Sequence, residues 1–314
     1  MSTGTYIAPG VLQVDTRLGG WEEVTASYLL EGPAPVLVET GSQTSAPTVL
    51  KALADHGLGP GDLAGVVVTH VHLDHAGGVG DIARAFPRAT VYVHEKGARH
   101  LADPSRLVAS AAAVYGDALG SLYGRVDPTP ADRLRVLADG ERVALGGGRE
   151  LVALYSPGHA KHHMALQDSI SGALFVGDAV GVRLPGAGVM WPATPPDDFD
   201  LAQALASLDR FAKAHPSSLA LAHYGLLPGD PLAELEQAAD LLRQWAEVAE
   251  RAWSQGHDIE AALRQRFAGD LAPLAPAQRE RMETLNGLHS NAAGLSRWLA
   301  RREGGLGDRP AGPA

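Results

Sequence analysis

Three histidines and an aspartate fall within six positions of Thr69-His70-Val71-His72-Leu73-Asp74-His75-Ala76-Gly77-Gly78. All four are metal-ligand types. Packed beside one another without a cation, they would carry a large desolvation and repulsion cost. The pattern therefore points to a bound metal, and a metal site with an open position polarises a substrate oxygen or activates a water. His70 and His72 are two apart, so in extended backbone both side chains point the same way. Asp74 continues that spacing and His75 follows at the turn, so one pair can serve one metal and Asp74 with His75 a second. Ala76-Gly77-Gly78 then lets a backbone without bulky side chains turn tightly into the next helix.

The elements that must position these groups are legible as apolar runs. The block follows Leu63 to Val68, and Gly65 to Thr69 reads as a strand covered on both faces. His159 follows Leu151 to Gly158, Asp178 follows Leu174 to Gly177, and His223 follows Leu219 to Ala222, so each closes a strand-like run. Residues 24–40 read as a hairpin about Gly32-Pro33-Ala34-Pro35. Pro47 opens a helix to about Asp55, a short helix spans 80–85 before Pro87, and 90–94 is another strand. Residues 97–123 read as helices over a cleft, and 132–155 as short strands around Gly146-Gly147-Gly148. Residues 164–167 and 173–176 form a hairpin. A helix over 199–214 is capped by Asp197 or Asp198, and 218–222 is the final strand.

The pattern changes near residue 228. Leu232, Leu235, Ala239, Leu242, Ala246, Ala249 and Trp253 recur at helical spacing, and further helices are expected over 259–267 and 277–301. The expected organisation is an α/β catalytic body over 1–228, a helical extension over 229–303 and a disordered Gly- and Pro-rich tail over 304–314.

The chain resembles the metallo-β-lactamase-fold hydrolases. The resemblance rests on His70-Val-His-Leu-Asp-His75, Pro157-Gly158-His159, Gly177-Asp178 and His223, in that order, and covers about residues 20–226. It implies a four-layer αβ/βα sandwich with two divalent metals at one edge. It also implies that His70, His72 and His159 hold the first metal, that Asp74, His75 and His223 hold the second, and that Asp178 bridges them. The implied reaction is hydrolysis by a metal-bridging hydroxide, with Asp74 and Asp178 as catalytic groups. Zinc is the expected metal; manganese or iron suits the same nitrogen and oxygen donors.

One departure is visible. The family usually has Asp where this chain has Glu39, in Val36-Leu-Val-Glu-Thr-Gly41; the longer carboxylate either supports the ligand loop or is a turn carboxylate. Around the ligands, His162, His163 and Tyr224 are candidate substrate contacts, and His94 ends a strand on the same general edge. The proline-rich loop 183–196 is read as a wall of the cleft, with Met190 and Trp191 as apolar contacts, or else as a rigid cover of the core. The Arg297 and Arg301-Arg302 cluster reads as a solvated helix end.

Composition bounds the rest. The chain has 314 residues, a net charge of −10 and no cysteine. Thiolate ligands, cysteine nucleophiles and disulfides are excluded. The charge disfavours nucleic acid, which needs clustered Lys and Arg. The N-terminus has no basic and apolar leader pattern and no apolar run is long enough for a membrane span, so a cytoplasmic protein with a small-molecule substrate is expected. A homo-oligomer is left open. The leading reaction is cleavage of a thioester, lactone or ester. Against the lactonase reading, Gly181 stands where those relatives usually have a tyrosine shortly after the bridging aspartate. A mononuclear iron sulfur dioxygenase, a phosphodiesterase of the same fold and an inactive metal-binding protein are the alternatives.

Overall fold

Strands apolar on both faces must be covered on both faces, and that demand shapes the molecule. The computed structural model describes residues 4–183 and 189–304. The first sheet is built from β1 (Gly4–Ala8), β2 (Val11–Asp15), β3 (Ala26–Leu30) and β4 (Val36–Val38), followed by helix α1 (Ala46–Asp55) and strand β5 (Gly65–Val67). Helices α2 (Leu73–Ala76) and α3 (Val79–Ala85) lead to β6 (Thr90–His94). Helices α4 (Glu95–Ala102), α5 (Ser105–Tyr115) and α6 (Ala118–Leu122) precede β7 (Leu134–Leu137). The seven strands lie in chain order, antiparallel from β1 to β4 and parallel from β4 to β7.

The second sheet holds β8 (Arg142–Gly146), β9 (Arg149–Tyr155), β10 (Met164–Asp168) and β11 (Ala173–Gly177). Helix α7 (Leu201–Lys213) crosses over to β12 (Ser218–Leu221), which is parallel to β11, and β13 (Gly225–Leu226) closes the edge. The extension is α8 (Pro231–Ser254), α9 (Ile259–Arg266), α10 (Ala268–Leu271), α11 (Pro276–Asn286) and α12 (Leu288–Glu303).

The two-residue period sorts side chains between cores. Phe175, Met164 and Leu166 meet Tyr28, Leu30 and Val38 between the sheets. Leu174, Val176 and Leu221 point the other way, onto α7 and α8 through Phe211, Leu242 and Trp245. The outer face of the first sheet takes Val49, Leu53, Ile82 and Phe86 from α1 and α3. Four layers result, αβ/βα, with the C-terminal helices packed on the second sheet. A buried Arg149–Asp168 pair, with nitrogen–oxygen distances of 2.8 Å, ties β9 to β10.

Several boundaries differ from the sequence reading. The hairpin β1–β2 precedes the first expected one, and β13 follows the strand expected to be last. Asp200 caps α7, accepting from Gln203 N at 2.9 Å, because Asp197 has φ 75° and its carboxylate pairs with Arg297 instead. No helix among the described residues is long and apolar enough to cross a membrane. The tail expected beyond Gly304, and positions 184–188 of the proline-rich loop, lie outside the described residues.

Candidate metal centre

The ligand-type residues sit where strands end. His70 lies beyond β5, and His72, Asp74 and His75 lie at and within α2. His159, Asp178 and His223 follow β9, β11 and β12. The structure brings all seven together. His72 Nδ1 is 3.0 Å from His70 Nε2 and 3.1 Å from His159 Nε2. His223 Nε2 is 3.2 Å from His75 Nε2 and 3.3 Å from an Asp74 oxygen. Two ligands on a tetrahedral metal with bonds of ~2.0–2.1 Å stand about 3.3 Å apart, so both trios have the spacing of a coordination sphere. Asp178 joins them: Oδ1 is 3.3 Å from His75 Nε2, and Oδ2 is 3.6 Å from His159 Nε2.

Backbone carbonyls set which nitrogen faces inward. A carbonyl only accepts, so His159 Nδ1 donates to Ala193 O at 3.1 Å, and His223 Nδ1 donates to Val24 O at 3.1 Å. Each leaves an Nε2 lone pair directed at the cluster, as a ligating imidazole requires. Glu39 stands behind His75 without a hydrogen bond to it. Its Oε1 accepts from Thr69 N at 3.1 Å, and its Oε2 lies 3.6 Å from His75 Nδ1. Buried at the end of β4, Glu39 is thus a support of the ligand loop and not a surface turn carboxylate. Gly177 explains the residue before Asp178. Its φ is +50°, and a Cβ there would stand 2.5 Å from Thr69 Oγ1 and 2.6 Å from His163 Nε2.

The electrostatics fit a cation site. Burial drives the His70 imidazole well below its usual range, and the neighbouring histidines push it further. Burial and His159 hold His72 at about 4, against a partial pull from Asp74. Both imidazoles are therefore neutral and able to ligate. Burial would raise the Asp74 and Asp178 carboxyls, yet the adjacent His75 and His223 outweigh it and keep both ionised. Against the pull of burial, the same carboxylates hold His75 and His223 above their usual range, with protons that a bound cation would displace. Asp178 Oδ1 is buried without a hydrogen-bond partner, an oxygen that a bridging cation would satisfy.

A cavity of about 280 Å³ opens onto this cluster. One wall is α5, through Leu107, Ala111 and Tyr115. The opposite wall is the C-terminal extension, through Leu285, Asn286, Ser290 and Asn291. Ala193, Pro195 and Pro196 close the third side. The helices expected over a cleft at 97–123 thus supply a wall, and so does part of the proline-rich loop.

Other candidates fall elsewhere. His162 lines the cavity, with Nδ1 accepting from Val71 N at 3.4 Å. His163 is fully buried behind the ligands, bonded to Ser156 Oγ at 2.8 Å, and does not line the cavity. Trp191 is fully buried against Trp245, and Met190 joins the same core. The apolar cleft contacts expected of Met190 and Trp191 are therefore core contacts, because the backbone pairs Trp191 with Val182 and turns the indole inward. Tyr224 opens on a separate surface groove with Gln13 and Asp15. His94 caps α4, accepting from Lys96 N at 3.0 Å. Arg301 donates to the carbonyls of Asp197 and Phe199, and so clamps α12 to the loop.

Tyr115, Tyr123, Asn286 and Asn291 were not singled out by sequence. The asparagines form a closed network. Thr194 N donates to Asn291 Oδ1 at 2.6 Å, Asn291 Nδ2 donates to Asn286 Oδ1 at 2.8 Å, and Asn286 Nδ2 donates to Pro192 O at 2.9 Å. The network grips the strip whose Ala193 carbonyl orients His159. A signal existed only in hindsight: two asparagines five apart inside otherwise amphipathic helices.

Residues 20–223 match the family model described as the metallo-beta-lactamase superfamily, and the chain belongs to that superfamily. The chain is 32% identical over 166 residues to Metallo-beta-lactamase fold-containing protein ST1585 of Sulfurisphaera tokodaii, covering 52% of this chain and 60% of that protein. It is 31% identical over 183 residues to a hydroxyacylglutathione hydrolase of a Synechococcus species, covering 58% and 56%. The chain thus spans a little over half the length of these curated relatives. Among solved structures, an archaeal superfamily protein from Sulfolobus tokodaii superimposes with a TM-score of 0.69 at 24% identity, over 91% of this chain and 98% of that one. A metallo-beta-lactamase family protein from Thermus thermophilus gives 0.64 at 24% identity, over 95% of each. These two show the fold.

Proposed function

We propose that the protein is a dinuclear metal-dependent hydrolase of a carbonyl ester-type bond in a small molecule: a thioester, lactone or ester. The observation that carries this reading is the meeting of two ligand trios on the two oxygens of Asp178. Divalent cations held by His70, His72 and His159 and by Asp74, His75 and His223 would activate water and polarise the scissile carbonyl. The chain's own groups do the remainder. Ala193 O and Val24 O orient His159 and His223, and the Glu39 carboxyl faces His75 Nδ1 at 3.6 Å. Asp74 borders the cavity with its side chain 14% exposed, placed to accept a proton released there. Helix α5 and the extension cover the centre and limit water around it. Zinc is the first expectation for this donor set. The hydroxyacylglutathione hydrolases among the relatives support a thioester.

The test is metal quantification on the purified protein, followed by a panel of thioesters, lactones, aryl esters and phosphodiesters. About two metals per chain and turnover of a carbonyl ester are expected. Turnover of phosphodiesters alone overturns the reading. So does Asp178→Asn with unchanged metal content and unchanged turnover.

A further inference from the structure

The cavity over the metal centre has an unusual charge inventory. Among the described residues, no lysine or arginine lines it, whereas Asp74, Asp178, Asp197 and Asp198 do. The residues at 184–188, Leu-Pro-Gly-Ala-Gly, carry no charged side chain. Two cations at the rim stand against lining carboxylates. Arg297 pairs with Asp197, and Lys161 Nζ lies 3.6 Å from Asp198. Asp197 and Asp198 offset those two cations and Asp74 and Asp178 face the metal cluster, so away from the cluster no lysine or arginine among the described lining residues is placed to hold a second anionic group. Between the walls, Leu107, Ala111, Tyr115, Tyr123, Leu285 and Pro196 present apolar and aromatic surface. The Tyr115 and Tyr123 rings pack at 4.7 Å between centroids. Burial, followed by the Asp74 charge, pushes the Tyr115 hydroxyl up to about 12, so it stays a neutral donor. Ser110, Ser290 and Asn291 add uncharged hydrogen-bonding groups.

We infer that the site selects small substrates with an apolar acyl or aryl part and a neutral leaving group, and discriminates against leaving groups that carry carboxylates, such as glutathione. The inference rests on the hydrolase reading above and adds the substrate class to it. The physical cause is the wall away from the metal cluster: a carboxylate brought against it loses hydration and meets no lysine or arginine among the described lining residues to replace it. A neutral chain loses little and buries apolar area. The size agrees, since about 280 Å³ is at the small end of ligand cavities, ~300–1,000 Å³.

The experiment compares one acyl group carried on glutathione and on N-acetylcysteamine, a neutral thiol, with the metal-loaded protein. The expected result is a kcat/KM at least about tenfold higher for the neutral thioester. Ser290→Lys, which places a cation on the wall, is expected to shift that ratio toward glutathione while leaving metal content unchanged. Equal or faster turnover of the glutathione thioester overturns the inference. A selective loss of glutathione-thioester turnover in Lys161→Ala does so too, because the rim lysine would then be a substrate contact. If neither thioester is cleaved, the thioester branch of the hydrolase reading fails, and the lactone and ester arms of the panel decide the rest. The substrate class is then judged by calorimetric binding of the uncleavable thioethers: tighter binding of the neutral one supports it, and tighter binding of the glutathione conjugate overturns it.

Discussion

Asn291→Ala probes how the C-terminal helices reach the metal centre. Asn291 is 1% exposed, and its side chain accepts from both Thr194 N and Thr194 Oγ1, at 2.6 and 2.8 Å. Alanine leaves the Thr194 N–H buried without its partner, which costs about 1–3 kcal/mol. The Asn286 carbonyl oxygen loses its 2.8 Å donor as well, whereas Thr194 Oγ1 keeps the Asn291 carbonyl at 3.1 Å. A destabilisation of about 2–4 kcal/mol follows from the two losses. The strip at 192–194 is then held less firmly, and with it the Ala193 carbonyl that fixes the His159 tautomer. Removing a group that orients a ligand directly costs ~10–100-fold in metal affinity. One step further out, a loss near the lower end, about tenfold, is expected. Thermal unfolding of the metal-free protein reads the first effect, and competition with a chromophoric chelator reads the second. A variant with lowered stability but unaltered metal affinity would refute the link from the extension to His159. A variant unchanged in both would refute the network itself.

Gly294→Ala tests the same contact sterically. A Cβ there would stand 1.9 Å from Thr194 O, so α12 must move off the loop; a stability loss of about 2 kcal/mol or more is expected in denaturant unfolding. Glu39→Gln keeps the acceptor for Thr69 N but removes the charge facing His75 Nδ1; metal affinity should fall about tenfold by chelator competition, with little change in metal-free stability. Asp168→Asn removes the charge partner of the buried Arg149, which keeps the carbonyls of Gly10 and Glu31, and should cost about 3 kcal/mol, the low end for a broken buried pair. Burial would raise the Asp168 carboxyl, but the hydrogen bonds from Arg149 and Ser171 outweigh it and hold it below its usual value. The stability it contributes is therefore present above the unfolded carboxylate range near pH ~4 and lost as pH falls through the depressed folded value. Acid unfolding curves should show the wild-type advantage over Asp168→Asn shrinking below pH ~4.

Local chemistry was legible in sequence wherever it repeats over short distances. The alternation of Met164, Ala165 and Leu166, or of Leu174, Phe175 and Val176, foretells strands buried on both faces. The helical recurrence from Leu232 to Trp253 foretells α8. The seven ligand-type residues stand out because each closes such a run, and their residue types leave few other chemistries. What sequence does not reach is the far side of each long-range contact. Trp191 reads as a cleft residue beside a proline-rich loop, yet a single backbone bridge to Val182 turns it into the core against Trp245. Asp197 and Asp198 read as the cap candidates, yet they pair with Arg297 and Lys161 and the cap falls to Asp200. Tyr115, Asn286 and Asn291 carry no local signature, since their role depends on two helical segments from opposite parts of the chain facing each other across the metal cluster. The seven ligand-type residues could be picked out from their types and their places at strand ends, and the structure gathers them into groups that could hold a metal. The lack of a lysine or arginine among the described lining residues could not be picked out that way, because it depends on which charges the tertiary fold places at the wall and which it holds at the rim.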